Sequence, residues 1–335
     1  MTTAVEAPPT PVVDRFRATA GDVDRGHADL RDGLRFLGAA GLLDTGLDAG
    51  VALVEAIAGE CMSSAFSLWA QRMVLAFLPP EAAPRPGLAD GTVVGSTAMA
   101  PALRDVAGIE PVPVLATPAG TGLRLDGPIR WASNLFPDAV VVLPARLPDG
   151  GRAVVRIGLG DPGVQVKPAP ELLALSATAS SSVRLDGVEV GPDAILSTDL
   201  PGFVRVIRPA FLLSQTAFCA GLAARAVEGA AEHAVGINAD LAGDVAFVAA
   251  RVRSVRERLH AWAADPAEPG RAELLQLRLD AAGAAGEATR LESTTSGGAG
   301  FMATSDVSRR LREAAFLPVQ SPTEGQLRWE LSRCA

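Results

Sequence analysis

Hydrophobic residues recur with a helical period in the first quarter of the chain. Leucines spaced three and four apart precede a stretch from Val51 to Leu78 that is apolar nearly all round, as in a helix inside a bundle. Four prolines between Pro79 and Pro86 then interrupt this pattern. The pattern predicts an N-terminal helical domain over residues 1–91. We expect its first thirteen residues, which are rich in Pro and Thr, to form a loose tail.

Residues 92–200 carry shorter apolar runs separated by turn signals. Val140–Leu143 is a compact apolar strand, and Asp149-Gly150-Gly151 predicts the hairpin turn that follows it. Asp126-Gly127 and Asp186-Gly187 predict two further turns, the second flanked by alternating Val and Leu. Short strands at this spacing predict a central antiparallel β-barrel or sandwich.

Two apolar seams at alternating steps of three and four mark the last third of the chain, as in antiparallel helix packing. The first consists of Val245, Val248, Val252, Val255, Leu259 and Trp262, and the second of Leu274, Leu277, Ala281, Ala284, Ala288 and Leu291. The seams predict a C-terminal four-helix bundle over residues 201–335. The whole chain is therefore expected to be α+β, mostly α, in three domains.

Composition narrows the functional classes. The net charge of −8 argues against a nucleic-acid surface or a basic membrane patch. The apolar run Pro209–Ala224 is too short and too polar to suggest membrane insertion. Three cysteines without metal-ligand spacing favour no metal site and a reducing, cytoplasmic location. Cys61 and Cys219 lie in apolar helical contexts, so we expect them in the core.

Two motifs resemble the acyl-CoA dehydrogenase superfamily. Gly297-Gly298-Ala299-Gly300-Phe301 is similar to that family's G-G-x-G-[FY] turn, and Val307 and Arg312-Glu313 follow at the family's spacing. Leu125–Asn134 is similar to a family strand that carries a Trp and, two residues later, a Ser or Thr. The resemblance implies the family's order of helical domain, β domain and helical bundle. It also implies a flavin cofactor, either FAD or a reduced FMN or FADH2 that a reductase supplies.

The resemblance implies a set of flavin-binding residues. Trp131 and Ser133 fall where family members contact the flavin ring and its N5 edge, where a hydrogen-bond donor stabilises developing negative charge. Ser96 and Thr97 fall at a weaker match, the family's Thr-Glu-Pro segment. Gly297-Gly298 offers backbone N–H groups to a phosphate. We expect Trp131 and these glycines to border one slot.

The catalytic base of the family is missing at its usual position. Ser321 stands there, and a serine hydroxyl cannot remove a proton next to a thioester without a partner. Glu324-Gly325 is the family's dipeptide three residues late, so Glu324 is a second candidate base. The family's alternative base position falls on Phe211 or Ile207. Arg208 is a candidate active-site arginine, and we expect the pocket near Phe211, Gln215 and Ser321.

The family's phosphate clamp is also missing. Its cross-subunit R-x-x-F corresponds to Gly236–Val245, which holds neither Arg nor Phe, and the Gln before the Gly-Gly turn is replaced by Thr294 or Thr295. Losing a bidentate clamp weakens phosphate binding.

Three hypotheses remain open. The first is a flavin-dependent dehydrogenase of an acyl thioester, either acyl-CoA or carrier-bound. The second is a two-component flavin monooxygenase, which needs a flavin reductase and no carboxylate base. The third is a flavin-free binding protein or redox-neutral enzyme on the same fold. The resemblance implies a homodimer or homotetramer with an acyl-thioester or other small-molecule substrate.

Overall fold

The computed structural model describes residues 8–334 and begins with five helices. They are α1 (Thr10–Asp24), α2 (Arg31–Ala39), α3 (Leu47–Glu60), α4 (Met62–Phe77) and α5 (Arg85–Asp90). Helix α1 starts earlier than expected, because Pro11 sits in its first turn, where no intrahelical N–H bond is needed. The predicted loose tail is therefore wrong from Thr10 onward, and its residues 1–7 lie outside the described residues.

The middle of the chain forms one mixed sheet. Its elements are β1 (Gly95–Thr97), α6 (Ala100–Val106), β2 (Leu115–Ala119), β3 (Gly122–Ala132), β4 (Val140–Arg146), β5 (Arg152–Gly158), β6 (Val164–Val166), β7 (Ser181–Val190) and β8 (Ile195–Ser197). The strand order is β6-β7-β3-β2-β4-β5-β8, with β1 on β4. Strands β1 and β2 run parallel to β4, whereas the other pairs are antiparallel, so the sheet is mixed where an antiparallel one was expected.

Two of the predicted turns are bulges inside continuous strands. Strand β3 runs through Asp126-Gly127 and β7 through Asp186-Gly187, and the register between them shifts here. Gly127 and Gly187 have φ values of 130° and 66°, and Gly187 donates its N–H to Asp126 at 2.8 Å. An Asp-Gly pair supplies the backbone freedom for a bulge as readily as for a turn. The hairpin at Asp149–Gly151 is confirmed by the pairing of β4 with β5.

The C-terminal region contains three long helices and two short ones. They are α7 (Leu200–His233), α8 (Ala242–Ala264), α9 (Arg271–Gly300), α10 (Asp306–Ala314) and α11 (Glu324–Leu331). Both predicted seams are buried, except that Trp262 is half-buried. The ion pairs of Arg251 with Glu287 and of Arg258 with Asp280 show that α8 and α9 are antiparallel. Architecture and helix content thus agree with the expected α+β, mostly α, fold.

Helix α7 is the centre of the molecule. Its length and composition would suit a membrane span, but 78% of its most apolar window is buried within the protein. It packs against α3, α4, α8 and α9. Cys219 of α7 and Cys61 before α4 are buried, as predicted, and burial raises the pKa of each thiol to about 11. Their apolar surroundings therefore suit packing rather than nucleophilic chemistry.

Candidate functional site

A cavity of about 550 Å³ lies where the sheet meets the N-terminal and C-terminal helices. Its wall is formed by the ends of β1 and β3, the loop before β7, and helices α4, α7 and α10 with the segment after α10. A volume of this size is typical of pockets that enclose small organic ligands. The lining is mostly apolar, with polar side chains concentrated on the sheet side and near Ser321.

The sheet side of the cavity presents three of the predicted flavin-binding residues. Trp131, Ser133 and Thr97 all line it, and Trp131 keeps 49% of its surface exposed beside the buried Ala132. Thr97 Oγ1 is buried and has no hydrogen-bond partner within residues 8–334. Ser96 does not line the cavity, and its hydroxyl donates to the Ser133 carbonyl at 2.6 Å. Thr97 thus lines the cavity and has a buried, unpaired hydroxyl, whereas the Ser96 hydroxyl is used in its hydrogen bond to Ser133.

A chain of hydroxyl groups extends from Ser133 along this wall. Ser133 Oγ lies 2.6 Å from Ser180 Oγ, which lies 2.7 Å from Thr178 Oγ1. Thr178 donates in turn to the Leu175 carbonyl at 2.7 Å. Because the Thr178 proton goes to the Leu175 carbonyl, Ser180 donates to Thr178 and Ser133 donates to Ser180, which leaves Ser133 Oγ able to accept a hydrogen bond from a ligand.

Asn134 holds the sheet side of the cavity against α4. Its φ is 60°, in the left-handed region that Asn tolerates better than most residues. Its Nδ2 donates to the carbonyls of Ser67 and Gly95, each at 3.0 Å. The end of β3, the start of β1 and the middle of α4 are therefore tied together by one amide.

The helical side of the cavity is an aromatic wall. Phe66 of α4 lies 5.2 Å from the ring of Trp69 and 5.2 Å from that of Phe316, and Phe211 of α7 lies 5.0 Å from Trp69. These stacked and edge-to-face contacts make a rigid apolar surface. Trp69 Nε1 is buried and has no acceptor in the described part of the chain.

Ser321 lies beside Phe211 and Gln215, as predicted. It lines the cavity with Phe211, and its carbonyl accepts a hydrogen bond from Gln215 Nε2 at 2.9 Å. Its hydroxyl is buried without a partner among residues 8–334. No His, Asp or Glu of the described chain is among the cavity-lining residues, so nothing there activates the Ser321 hydroxyl as a base.

Arg312 is the charged residue of the lining, and its charge is already paired. Its two terminal nitrogens donate to the two carboxylate oxygens of Asp24 at 3.0 and 2.6 Å, and one also donates to the Leu173 carbonyl at 3.2 Å. The hydrogen bonds that Arg312 donates to Asp24 raise the pKa of Arg312. Arg312 thus ties α10 to α1 and to the loop at the cavity.

The other two predicted catalytic residues lie outside the cavity lining. Glu324 begins α11 and pairs with the exposed Arg328 at 2.8 Å. Arg208 donates to the buried Glu330 at 2.8 Å, and Arg271 donates to the same carboxylate at 2.6 Å. Burial opposes ionisation of Glu330, but a hydrogen bond from Gln326 and both guanidinium groups lower its pKa overall. Arg208 therefore links α7 to α11 rather than facing a ligand in this cavity.

Gly297 and Gly298 also lie outside the cavity lining. They occur near the end of α9, where Gly297 has a φ of 59°. A Cβ added to either glycine would meet no heavy atom within 4 Å. Their backbone is therefore open to a ligand, but within one chain they do not share the cavity of Trp131.

A flavin ring fits this cavity better than its phosphates do. The volume, the face of Trp131 and the unpaired Thr97 hydroxyl suit a flat heteroaromatic ring with polar edges. A pyrophosphate needs cations or backbone donors, and the lining offers Arg312, which Asp24 already neutralises. The residues of this chain can thus hold a flavin ring without a strong phosphate clamp.

Trp69, the Thr178–Ser180 hydroxyl chain and the Arg312–Asp24 pair are site features that the sequence does not predict. Trp69 follows the apolar period of a buried helix, so its unpaired N–H gives no signal in the sequence. Thr178 and Ser180 come from a loop without periodicity, and Asp24 lies far from Arg312 along the chain.

Comparisons with known proteins agree with the geometry. No protein-family model matches the chain, and no curated protein matches it in sequence. Among solved structures, glutaryl-coenzyme A dehydrogenase in its glutaryl-CoA complex aligns with a TM-score of 0.85 at 18% identity, covering 99% of this chain and 96% of that one.

Two further structures align over nearly the whole chain. Butyryl-CoA dehydrogenase from Megasphaera elsdenii has a TM-score of 0.81 at 16% identity, covering 98% of this chain and 99% of its own. An acyl-CoA dehydrogenase complexed with FAD, from Bacillus anthracis, has a TM-score of 0.80 at 14% identity, and the alignment covers 98% of this chain and 68% of that one. The chain therefore has the fold of the acyl-CoA dehydrogenase superfamily, as its motifs predict.

Proposed function

We propose that this protein is a flavin-dependent oxidoreductase that oxidises an acyl thioester in the cavity between sheet and helices. The observation that carries the proposal is the position of Trp131, Thr97 and Ser133 on one wall of the cavity, opposite Phe211 and Ser321. A bound flavin would supply a two-electron acceptor at the sheet wall. The solved structures with this fold include enzymes named for glutaryl-CoA and butyryl-CoA.

The residues on the two walls of the cavity would have different roles, one wall contacting the flavin and the other the substrate. Trp131 would cover a face of the ring, the Thr97 hydroxyl would donate to its polar edge, where charge gathers on reduction, and Ser133 Oγ would accept from a ring N–H. The aromatic wall of Phe66, Trp69 and Phe211 excludes water and holds the apolar part of an acyl chain. The two walls would together position the substrate against the flavin ring without forming a covalent bond to it.

The need for a base that removes a substrate proton distinguishes two versions of the proposed function. Dehydrogenation next to a thioester needs a base, and the cavity lining among residues 8–334 holds no carboxylate or imidazole. Ser321 has no activating partner, and Glu324 would have to leave Arg328 to reach the cavity. This observation favours a second candidate, a monooxygenase that uses reduced FMN or FADH2 from a separate reductase. The weak phosphate site suits a flavin that arrives and leaves by diffusion.

One experiment on the purified protein separates the candidates. We expect a yellow protein whose flavin absorbance bleaches anaerobically on adding butyryl-CoA if it is a dehydrogenase. A colourless protein that binds reduced FMN or FADH2, and consumes oxygen with a reductase, indicates the monooxygenase. Absence of flavin binding in both redox states would overturn the proposal and leave the flavin-free binding protein or redox-neutral enzyme.

Variants of Ser321 and Glu324 test the base directly. Replacing Ser321 with Ala and Glu324 with Gln, each alone, should leave flavin binding intact. A loss of bleaching of a hundredfold or more in one variant identifies the base, because acid–base catalysis contributes about 10²–10⁴-fold. Arg208→Lys serves as control, since Arg208 contacts Glu330 outside the cavity.

We also propose that the protein is a cytoplasmic homo-oligomer. The supporting observation is a cluster of exposed apolar side chains at one end of the bundle, which includes Ile237 and Phe301. Exposed apolar patches of this kind mark interfaces.

A further inference from the structure

The hydroxyl chain on the sheet wall of the cavity has a fixed direction. It ends at the Leu175 carbonyl, which has no proton to give, so Thr178 donates to that carbonyl and accepts from Ser180. Ser180 in turn accepts from Ser133. Since a serine hydroxyl has one proton, Ser133 Oγ presents an acceptor and no donor to a ligand at this wall.

The backbone beside Ser133 does not replace the missing donor. The N–H of Asn134 donates to the Thr178 carbonyl at 2.7 Å, and the N–H of Leu135 donates to the Ala179 carbonyl at 3.3 Å. Both groups are therefore used in holding the loop against the end of β3. A ligand that approaches Ser133 meets its acceptor oxygen without a donor from either of these two residues.

The loop that carries Thr178 is held in an unusual backbone conformation. Leu175 and Ala179 flank the single helical turn Ser176–Thr178 and have φ values of 62° and 47°. With Asn134, they are three of the four non-glycine residues with positive φ within residues 8–334. Side chains disfavour this region, and such residues persist where surrounding contacts enforce them, commonly at functional sites. The loop thus holds the Leu175 carbonyl where it directs the whole chain of hydroxyls.

Reduction of a flavin by two electrons and two protons changes the hydrogen-bonding edge of its ring. The oxidised ring has unprotonated nitrogens at N1 and N5, which accept hydrogen bonds, and reduction turns N5 into an N–H donor. An acceptor oxygen facing an acceptor nitrogen leaves both without a hydrogen bond, whereas the reduced ring can donate to that oxygen. The Thr97 hydroxyl is unpaired within the described residues and can donate or accept, so it suits both forms. The acceptor-only oxygen of Ser133 therefore favours the reduced ring.

We propose that this protein binds reduced flavin more tightly than oxidised flavin through the acceptor-only hydroxyl of Ser133, and that Thr178 is the positioning residue that sets the direction of the hydroxyl chain. The inference rests on the proposed function, because it takes this cavity as the flavin site. It requires no particular substrate. It supports the candidate in which the flavin reaches the protein already reduced.

Two substitutions of Thr178 separate the direction of the chain from packing. Thr178→Val keeps the shape of the side chain and removes the hydroxyl, so Ser180 can donate to Ser133 and free the Ser133 proton for the cavity. Thr178→Ser keeps the hydroxyl and loses a methyl group. Anaerobic equilibrium dialysis at pH 7.5, with FMN and FAD each in the oxidised and photoreduced forms, gives the ratio of the two Kd values for each flavin.

We expect the unmodified protein and Thr178→Ser to bind the reduced form at least about tenfold more tightly, which raises the two-electron potential of the bound flavin by about 30 mV. In Thr178→Val the preference should fall to about threefold or less. Thr289→Val is the control and should keep the full preference. It removes a fully buried hydroxyl that donates to the Ala285 carbonyl at 2.9 Å outside the cavity lining.

Each outcome decides the proposal. Flavin binding with less than about threefold preference in the unmodified protein overturns this inference alone, whereas no binding of FMN or FAD in either redox state overturns the proposed function with it. A Thr178→Val protein that keeps the full preference, or a Thr178→Ser protein that loses it to the same extent, shows that chain direction does not set it. If Thr178→Val does not fold, Ser180→Ala makes the same comparison, because it removes the acceptor of the Ser133 proton.

Discussion

Glu313 of α10 is a carboxylate buried against the start of α4, with 1% of its surface exposed. Burial raises its pKa from 4.5 to about 7, opposed in part by the guanidinium of Arg309 and by a hydrogen bond from the Met62 backbone. One of its oxygens has no partner in the described chain. The folded protein therefore holds the Glu313 proton more tightly than the unfolded chain does.

This pKa shift predicts a pH-dependent term in stability. Because the folded pKa is raised, the stabilising contribution is complete below pH 4.5 and is lost as the pH rises through about 7. In Glu313→Gln that decline should vanish. The free energy of unfolding of the unmodified protein should thus fall relative to the variant by at most about 3 kcal/mol between pH 5 and pH 8.

Urea unfolding at several pH values measures this difference. The slope of the unfolding free energy against pH is compared, rather than its absolute value, because Glu313→Gln also loses the contact of Glu313 with Arg309. Glu232→Gln, at an exposed position of α7, is the control and should follow the unmodified protein. Parallel curves for Glu313→Gln and the unmodified protein would show that Glu313 ionises normally in the fold.

At the scale of elements, apolar periodicity predicted the helices well and the turns poorly. The two seams on α8 and α9 are buried because a period near 3.5 places all their apolar residues on one face of each helix, where a neighbouring helix covers them. Asp126-Gly127 and Asp186-Gly187 are each compatible with a turn or with a β-bulge. The pairing of β3 with β7 determines that both form bulges. That pairing joins residues about sixty apart, which local pattern does not reveal.

The sequence predicts the relative positions of candidate-site residues only where a single motif contains them. Trp131 lies in β3 and Ser133 follows the last residue of that strand, so matching this one motif places both at the same wall. The family resemblance implies Arg208 and Glu324 as candidates, but they pair with Glu330 and Arg328 of α11 and lie outside the cavity lining. The Arg208–Glu330 pair joins residues far apart in the sequence, so it depends on tertiary contacts that the sequence pattern does not reveal.

Close contact between α3 and α7 gives a prediction for one glycine. A Cβ on Gly221 would lie 1.9 Å from the Glu55 carbonyl oxygen and 3.1 Å from the Ala58 Cβ. Gly221→Ala should therefore force the helices apart and destabilise the protein by about 1–3 kcal/mol or more, despite the better helix propensity of Ala. Urea unfolding gives the value.

A second glycine supplies the matched control for this prediction. Gly286 lies within α9, and a Cβ there would meet no heavy atom within 4 Å. Gly286→Ala should stabilise the protein by up to about 1 kcal/mol through helix propensity alone. If Gly221→Ala proved equally stabilising, the two helices would be farther apart than described.

For the whole molecule, one end of the bundle exposes several large apolar side chains. The ion pairs between α8 and α9 place the start of α8 beside the end of α9, and Asn238 Nδ2 donates to the Thr295 carbonyl at 2.9 Å. Several large apolar side chains are exposed in this part of the chain: Val235, Ile237, Phe247, Phe301 and Met302. The open backbone of Gly297 and Gly298 lies at the same end, so a second subunit docking there would cover both the apolar cluster and these glycines.

This placement predicts the assembly state and its sensitivity to charge. Ile237 is 96% exposed and Phe301 81% exposed, an arrangement that costs free energy in water and favours burial against a second copy. Size-exclusion chromatography with light scattering should give a dimer or tetramer for the unmodified protein. The double variant Ile237→Asp with Phe301→Asp should give a folded monomer, because two carboxylates cannot be buried in that contact without partners. Val206→Asp, near the opposite end of α7, replaces an equally exposed apolar residue and should leave the assembly intact. A monomeric unmodified protein, or a double variant that still assembles, would place any interface elsewhere.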